Sequence, residues 1–271
     1  ISGFGQDGPY AKRPGFDQIA QGMGGLMSIT GEPGRGPMRV GIPVADLTAG
    51  IFCAQGILLA LIEREKSGKG QWVQSSLLQA QVFMLDFQAS RWLMDGEVAP
   101  QAGNNHPTSI PTGVFETKDG YINIASAGQA IYLRFVDVLG DERMLGEDFK
   151  TPEARSKNRD AMNALISEHT RQKTSDEWIK LLNEAGVPCG EINTIDKVFA
   201  SPQVQHLGLA ADMVSQERGP TQVVGQPIKL SRTDSSVKHP PPTYSQHTDE
   251  LLAELGYSAT DIAKMHEDGT V

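Results

Sequence analysis

Between residues 47 and 62 apolar or small side chains fall on every side of a helical projection: Leu47, Ala49, Ile51, Phe52, Ala54, Ile57, Leu58, Leu59, Leu61 and Ile62. A segment with no polar face predicts a helix that is buried all round, reaching water only at Glu63-Arg64-Glu65-Lys66. Ser67-Gly68-Lys69-Gly70 then turns the chain into residues 72–77, a short strand by composition. A second helix is expected over about 78–94, carrying Val82, Leu85, Phe87, Ala89, Trp92 and Leu93 and ending near Gly96. Residues 98–112 are rich in Pro, Gly and Asn without periodicity and read as a linker or a substrate-facing loop. Two alternating segments, 114–117 and 121–124, flank Lys118-Asp119-Gly120 and predict a β-hairpin with an Asp-Gly turn. Thr151-Pro152 supplies an N-cap and a first helical residue for a helical region over 151–171. Thr174-Ser175-Asp176-Glu177 is a capping box for a helix with the stripe Trp178, Leu181, Leu182 and Ala185, stopping at Gly186 before Pro188. Beyond it Gly219-Pro220 and Val223-Val224 suggest extended chain, Pro240-Pro241-Pro242 marks a stiff connector, and Thr248 is expected to cap a terminal helix through Leu251, Leu252 and Leu255.

Composition narrows the function. The 271 residues carry 24 Lys+Arg against 33 Asp+Glu, a net charge of −9, which argues against nucleic acid as a partner. The longest continuous apolar run, about 57–62, is far short of the ~20 residues that span a bilayer, so no membrane association is expected. Cys53 and Cys189 lie far apart in apolar surroundings, as expected for reduced thiols in a cytoplasmic protein. Ile1-Ser2-Gly3-Phe4-Gly5 has neither a basic nor an apolar region of a targeting signal. Residues 1–45 hold eleven Gly and five Pro, whereas 46–66 hold two Gly and no Pro, so a loop-built surface gives way to regular structure at about Asp46.

The six histidines show no i, i+4 pairing or ligand spacing, and a metal site is not expected. Walker and Gly-x-Ser-x-Gly signatures are also missing. Gly3-Phe4-Gly5-Gln6-Asp7-Gly8 fits G-x-G-x-x-G, but Pro9 and a loop follow it where a dinucleotide site needs a helix. Asp46 is the carboxylate of interest, because it stands where a Gly/Pro-rich loop meets the long apolar helix. Its plainest role there is an N-cap, accepting from free amides and gaining from the helix dipole. The same place suits chemistry: backbone donors keep the carboxylate ionised, and they can hold an oxyanion formed beside it.

Several strings occur in a fixed order: Ser2-Gly3-Phe4-Gly5-Gln6-Asp7-Gly8-Pro9-Tyr10, Arg13-Pro14-Gly15-Phe16-Asp17, Gly24-Gly25-Leu26-Met27-Ser28-Ile29-Thr30-Gly31, Ala45-Asp46-Leu47 and Lys66-Ser67-Gly68-Lys69-Gly70-Gln71. Gly103-Asn104-Asn105-His106-Pro107, Gly186-Val187-Pro188 and His247-Thr248-Asp249 continue the series. In this order the chain resembles the family III CoA-transferases, the CaiB/BaiF group, over its whole length. Family members carry a further segment upstream of the point matching Ile1, so the sequence resembles the middle and end of a subunit.

The resemblance implies an α/β fold: a Rossmann-like large domain, incomplete here, with an inserted small α+β domain, in an interlocked homodimer. Residues 1–98 would belong to the large domain, 99–111 to a linker, 112–200 to the small domain, and 201–271 to a second linker and the return to the large domain. The activity implied is transfer of CoA from an acyl-CoA donor to a carboxylic acid, with the CoA thioester as substrate and no permanently bound cofactor. Asp46 would be the nucleophile, passing through a mixed anhydride and an aspartyl-CoA thioester. Asp17, 29 residues earlier, matches an acidic residue beside the active site, with a first-turn helix carboxylate as its alternative role. Ala125-Ser126-Ala127-Gly128-Gln129 matches a glycine-rich loop that closes over intermediates in some members; only Gly128 remains here, and Gln129 would still reach the site. Lys12 and Arg13 are the candidates for the CoA phosphates, or else a solvated pair. The overall pattern is nearest to members using succinyl-CoA and dicarboxylic acids. Two other functions compete. An α-methylacyl-CoA racemase-like enzyme would place a His where Phe16 stands, and Phe cannot carry a proton. A non-catalytic fragment is the other alternative.

Overall fold

Helices in the first half of the chain are set by glycines and by a few small side chains rather than by large apolar stripes. The computed structural model describes residues 1–215 and 217–271, in a mixed α/β arrangement of two compact units, 1–192 and 193–271. In the first unit α1 (Asp17–Met23) and α2 (Leu26–Ile29) precede the long α3 (Val44–Ser67), followed by α4 (Leu77–Phe83) and α5 (Phe87–Asp95). The core among them is Ala20, Ala45, Ala49, Leu77 and Ala80, with Phe52 packed against it. Alanines let α1, α3 and α4 approach closely, and only the first turns of α3 are covered.

The expectation of a helix buried all round is therefore corrected. Leu47, Ile51, Leu58 and Ile62 are each more than half exposed, and Ala45 and Ala49 are the buried residues of α3. An apolar pattern specifies what the surface would pack against, not whether a partner is within reach. Among the described residues α3 is also the one helix long and apolar enough to cross a membrane by length and composition. Its apolar stretch from 47 to 62 spans only about 24 Å at 1.5 Å per residue, short of a ~30 Å hydrocarbon core, and Asp46 and Glu63 bound it.

Two further expectations change. Residues 72–77 form no strand; Ser76 makes an isolated parallel bridge to Ser2, and Trp72 is exposed. A strand without neighbours cannot satisfy its backbone, so only this one rung exists. The helix expected over 78–94 is broken at Met84-Leu85-Asp86, where Asp86 has φ 49°, and the first piece starts at Leu77 because the Ser76 hydroxyl accepts from the Gln79 N–H at 3.1 Å.

The hairpin forms as β1 (Thr112–Glu116) and β2 (Tyr121–Ala125), with Thr112 opposite Ala125 and Glu116 opposite Tyr121. Its connection is a four-residue loop closed by the Thr117 N–H on Gly120 O, not a two-residue Asp-Gly turn. Asp119 instead reaches across to accept from the Ser175 N–H at 2.8 Å, a bond that lowers its pKa below the usual carboxylate range. The strand β3 (Cys189–Glu191) adds antiparallel to β2. Around the sheet α6 (Gln129–Leu139), α8 (Arg159–Thr170) and α9 (Ser175–Glu184) enclose a core that includes Ile122, Ile124, Phe135, Met162, Trp178 and Leu182, and α7 (Pro152–Lys157) packs on α8. Both caps read from the sequence are present: Thr151 accepts from the Ala154 N–H, and Thr174 and Glu177 form a reciprocal capping box. Burial pushes the Tyr132 hydroxyl pKa up to about 12 while that hydroxyl donates to Met144 O at 2.6 Å.

The second unit holds α10 (Ile195–Ala200), α11 (Pro202–Leu207), the antiparallel pair β4 (Ala210–Ser215) and β5 (Gly219–Val224), α12 (Thr248–Glu254) and α13 (Ala259–Glu267). Thr248 is the first residue of α12 rather than its cap. The last helix, opened by a Ser258–Asp261 capping box, went unread in the sequence because the box is followed by a weak apolar stripe.

Candidate active site

Asp17 opens α1 and is 7% exposed. One of its carboxylate oxygens accepts from the Ala45 N–H at 2.9 Å, and the other accepts from the Gln21 side-chain amide at 2.7 Å. Gln21, fully buried one turn further along, also donates to Ile42 O at 3.2 Å and accepts from the Val40 N–H at 2.9 Å. The two side chains clamp the incoming loop and the first turn of α3 onto α1. An acid at helical position one and an amide four residues later make this possible, because i and i+4 lie on the same face.

This clamp corrects the role read for Asp46. The carboxylate that caps α3 is Asp17, brought from another helix, whereas Pro43 precedes α3 and offers no side-chain cap. Asp46 is the third residue of α3 and is exposed. Among the described residues its carboxylate has neither a hydrogen bond nor an ion pair. In the first turn Val44 N–H donates to Ile42 O, Ala45 N–H to Asp17 and Leu47 N–H to Pro43 O, while the Asp46 N–H has no acceptor among the described residues. The result is an uncommitted carboxylate beside a free backbone donor, at the positive end of a helix dipole. That combination serves a nucleophile and the oxyanion it creates.

Lys12 and Arg13 lie exposed in the turn before α1; the Arg13 guanidinium stacks over the Tyr10 ring at 4.1 Å, and Tyr10 meets Phe4 edge-on. The glycines of the 3–8 string have packing and backbone roles. A Cβ on Gly3 would come within 3.0 Å of Gly15 Cα, so two chain segments cross there, and Gly5 and Gly8 sit at φ 105° and 81°. Phe16, immediately before Asp17, is 78% exposed.

Gln129 is placed elsewhere, at the start of α6 on the sheet-containing core, with no hydrogen bond to Asp17 or Asp46. Its side-chain oxygen accepts from Arg155 at 3.0 Å. Arg155 is completely buried and donates as well to Ile110 O, Phe149 O and Ala127 O. Burial lowers its pKa, and the Tyr132 ring lies 4.2 Å beneath it. The 125–129 segment is thus tied down by a buried cation. Sequence reasoning missed Gln21 and Arg155. For Gln21 the Asp17 i+4 spacing was an available signal; for Arg155 there was none, since its partners lie up to 45 residues away.

The first turn of the long α3 thus presents an exposed carboxylate, Asp46, while the buried Asp17 holds that turn against α1, on a mixed α/β framework. The sequence model of CoA-transferase family III matches residues 1–248, and the chain belongs to that family. It is 33% identical over 273 residues to the human succinyl-CoA:glutarate CoA-transferase, covering all of this chain and 62% of that protein. It is 36% identical over 256 residues to the succinate–glutarate CoA-transferase of Agrobacterium fabrum, covering 94% of this chain and 64% of that one. The crystal structure of a CaiB/BaiF family protein from Brucella suis superposes with a TM-score of 0.79 at 37% identity, over 94% of this chain and 66% of that one. The chain spans about three fifths of the length of these curated relatives.

Proposed function

We propose that the full-length protein transfers CoA from succinyl-CoA, or a similar acyl-CoA, to a dicarboxylic acid, with Asp46 as the nucleophile. The free Asp46 carboxylate at the start of α3 carries this reading, and the activities named for the human and Agrobacterium relatives support the substrate class. A carboxylate oxygen of Asp46 attacks the thioester carbonyl, the C–S bond breaks, and CoA leaves as thiolate. The thiolate attacks the Asp46 carbonyl of the mixed anhydride, releasing the donor acid and forming an aspartyl-CoA thioester. The acceptor carboxylate attacks that thioester and expels the thiolate again. Thiolate attack on the acceptor's acyl carbon then yields the new acyl-CoA and returns Asp46 as carboxylate. Anhydride and thioester are both activated acyl groups, so the transfer proceeds without input of energy. Asp17 holds the first turn that carries Asp46, Gln129 approaches the substrates from the small domain, and Lys12 and Arg13 meet the CoA phosphates. No step requires a bound cofactor.

Mixing the protein with succinyl-CoA and glutarate in deuterated water should convert glutarate to glutaryl-CoA. A 2-methylacyl-CoA added under the same conditions should take up no deuterium at C2, because Phe16 offers no exchangeable proton. Deuterium uptake rivalling CoA transfer would overturn the assignment in favour of a racemase.

The same reading places residues 112–200 in a small domain inserted into a Rossmann-like large domain to which 1–98 belong, in a homodimer working in the cytoplasm. The exposed apolar faces of α3 and of residues 82–94 support association, because contiguous apolar surface of that extent is normally covered by protein. The isolated polypeptide 1–271 is expected to self-associate or aggregate. Sedimentation as a soluble 29.3 kDa monomer with cooperative unfolding would contradict this and favour a self-sufficient, non-catalytic fold.

A further inference from the structure

Arg39 lies in the loop that leads into α3, and its backbone is fixed from both sides. The Met38 N–H donates to Met27 O and Thr30 O, and the Val40 N–H donates to the Gln21 side-chain oxygen at 2.9 Å. The Arg39 guanidinium, by contrast, is exposed and has no hydrogen bond, ion pair or aromatic partner among the described residues. Glu32, the acid of the same loop, lies against Gly103 instead: a Cβ on that glycine would come within 2.7 Å of the Glu32 carboxylate. Arg35, the loop's other cation, stands between Gly34 and Gly36, which sit in the left-handed region at φ 80° and 83°.

The clamp that seats α3 also ties Arg39 to Asp46. Asp17 accepts from the Ala45 N–H at 2.9 Å and from Gln21 at 2.7 Å, so one side-chain bridge joins the Val40 and Ala45 amides; Arg39 directly precedes the first and Asp46 directly follows the second. Three such hydrogen bonds and two planar head groups keep those amides within about 13 Å of each other. Roughly 6 Å of arginine stem and roughly 5 Å between the carboxyl carbons of a five-carbon diacid span a gap of that size. We infer that Arg39 is a specificity-determining residue whose guanidinium pairs with the distal carboxylate of an acid bonded to Asp46 through its other carboxylate. The guanidinium fork matches a carboxylate bidentately, and a backbone already held in place limits the ordering cost of the pair. Donor acyl group and acceptor acid each form an anhydride with the same Asp46 carboxylate, so one cation reads the free carboxylate in both halves of the exchange. This inference rests on the CoA-transferase reading of Asp46.

The test measures kcat/KM in the full-length protein for glutarate and butyrate as acceptors, and for succinyl-CoA and butyryl-CoA as donors. Arg39→Met should lower the values for glutarate and succinyl-CoA ~30-fold or more, while those for butyrate and butyryl-CoA stay within ~3-fold of wild type. Arg39→Lys, which keeps the charge without the fork, should fall between. Arg35→Met should change none of the four values by more than ~2-fold, and the Tm of Arg39→Met should stay within ~1 °C of wild type. Equal losses for monoacids and diacids, a glutarate value in Arg39→Met within ~3-fold of wild type, or a matching loss in Arg35→Met overturns the inference and leaves CoA transfer standing. Calorimetric binding of glutarate needs no turnover and separates the remaining cases. Wild-type protein that binds glutarate, loses that binding in Arg39→Met and transfers no CoA supports the pairing and removes the functional reading. Wild-type protein that neither binds glutarate nor transfers CoA removes both.

Discussion

Asp46→Ala is expected to abolish CoA transfer, by ~10⁴-fold or more, while leaving the fold nearly untouched. A covalent nucleophile has no substitute in the mechanism, so its loss removes the whole pathway rather than one contribution to it. Stability should change by only about 0.5 kcal/mol, since the Asp46 side chain is exposed and makes no hydrogen bond among the described residues, and what remains is its favourable place near the positive end of α3. Trapping with acyl-CoA and hydroxylamine, followed by peptide mapping, should find the hydroxamate at Asp46 in the wild type and nowhere in the variant. Full activity in Asp46→Ala, or label at another carboxylate, would remove Asp46 from the mechanism.

Asp17→Ala should behave in the reverse way, losing structure first. It deletes two buried hydrogen bonds, one to the amide of Ala45 and one to Gln21, and leaves the Ala45 N–H and the Gln21 amide without that partner. Losses of this kind cost about 2–4 kcal/mol, which for a chain of this size lowers Tm by roughly 5–12 °C. Asp17→Asn is the sharper variant. Its carbonyl can still accept from Ala45, but its NH2 then faces the Gln21 NH2, and Gln21 cannot turn over without abandoning the Val40 N–H. The Asn variant should therefore keep less than half of the clamp's stabilisation, and transfer should fall ~10-fold or more because the first turn of α3 no longer holds Asp46 in place. A Tm within 1 °C of wild type in both variants would show that the clamp has no such role.

The two aspartates show where sequence reading reached its limit. The ordered strings around Asp17 and Asp46 marked both residues, and their spacing resembled the family pattern over the whole chain. Assigning roles from local pattern alone exchanged them in part: Asp46 looked like the cap of its own helix, and the actual cap comes from 28 residues upstream. An N-cap is a hydrogen bond to an amide, and any acceptor that tertiary packing delivers will serve. Gly3 and Gly15 carry a similar lesson. The first belongs to a string that fits a phosphate-binding motif, yet its need for a bare Cα comes from a chain crossing.

Features decided within four or five residues were determined by the sequence itself. The Thr174–Glu177 box and the Thr151-Pro152 start form where their residue types call for them, because both partners in each interaction are close along the chain, and of the β1–β2 hairpin the rung nearest the turn, Glu116 with Tyr121, is equally local. Tertiary structure decided the rest: which face of α3 is covered, why residues 72–77 stay a single bridge, how Arg155 gathers carbonyls from 110, 127 and 149, and which of the two aspartates is tied down by hydrogen bonds. An apolar pattern or a polar side chain states a requirement, and only the three-dimensional neighbourhood determines whether, and by what, that requirement is met.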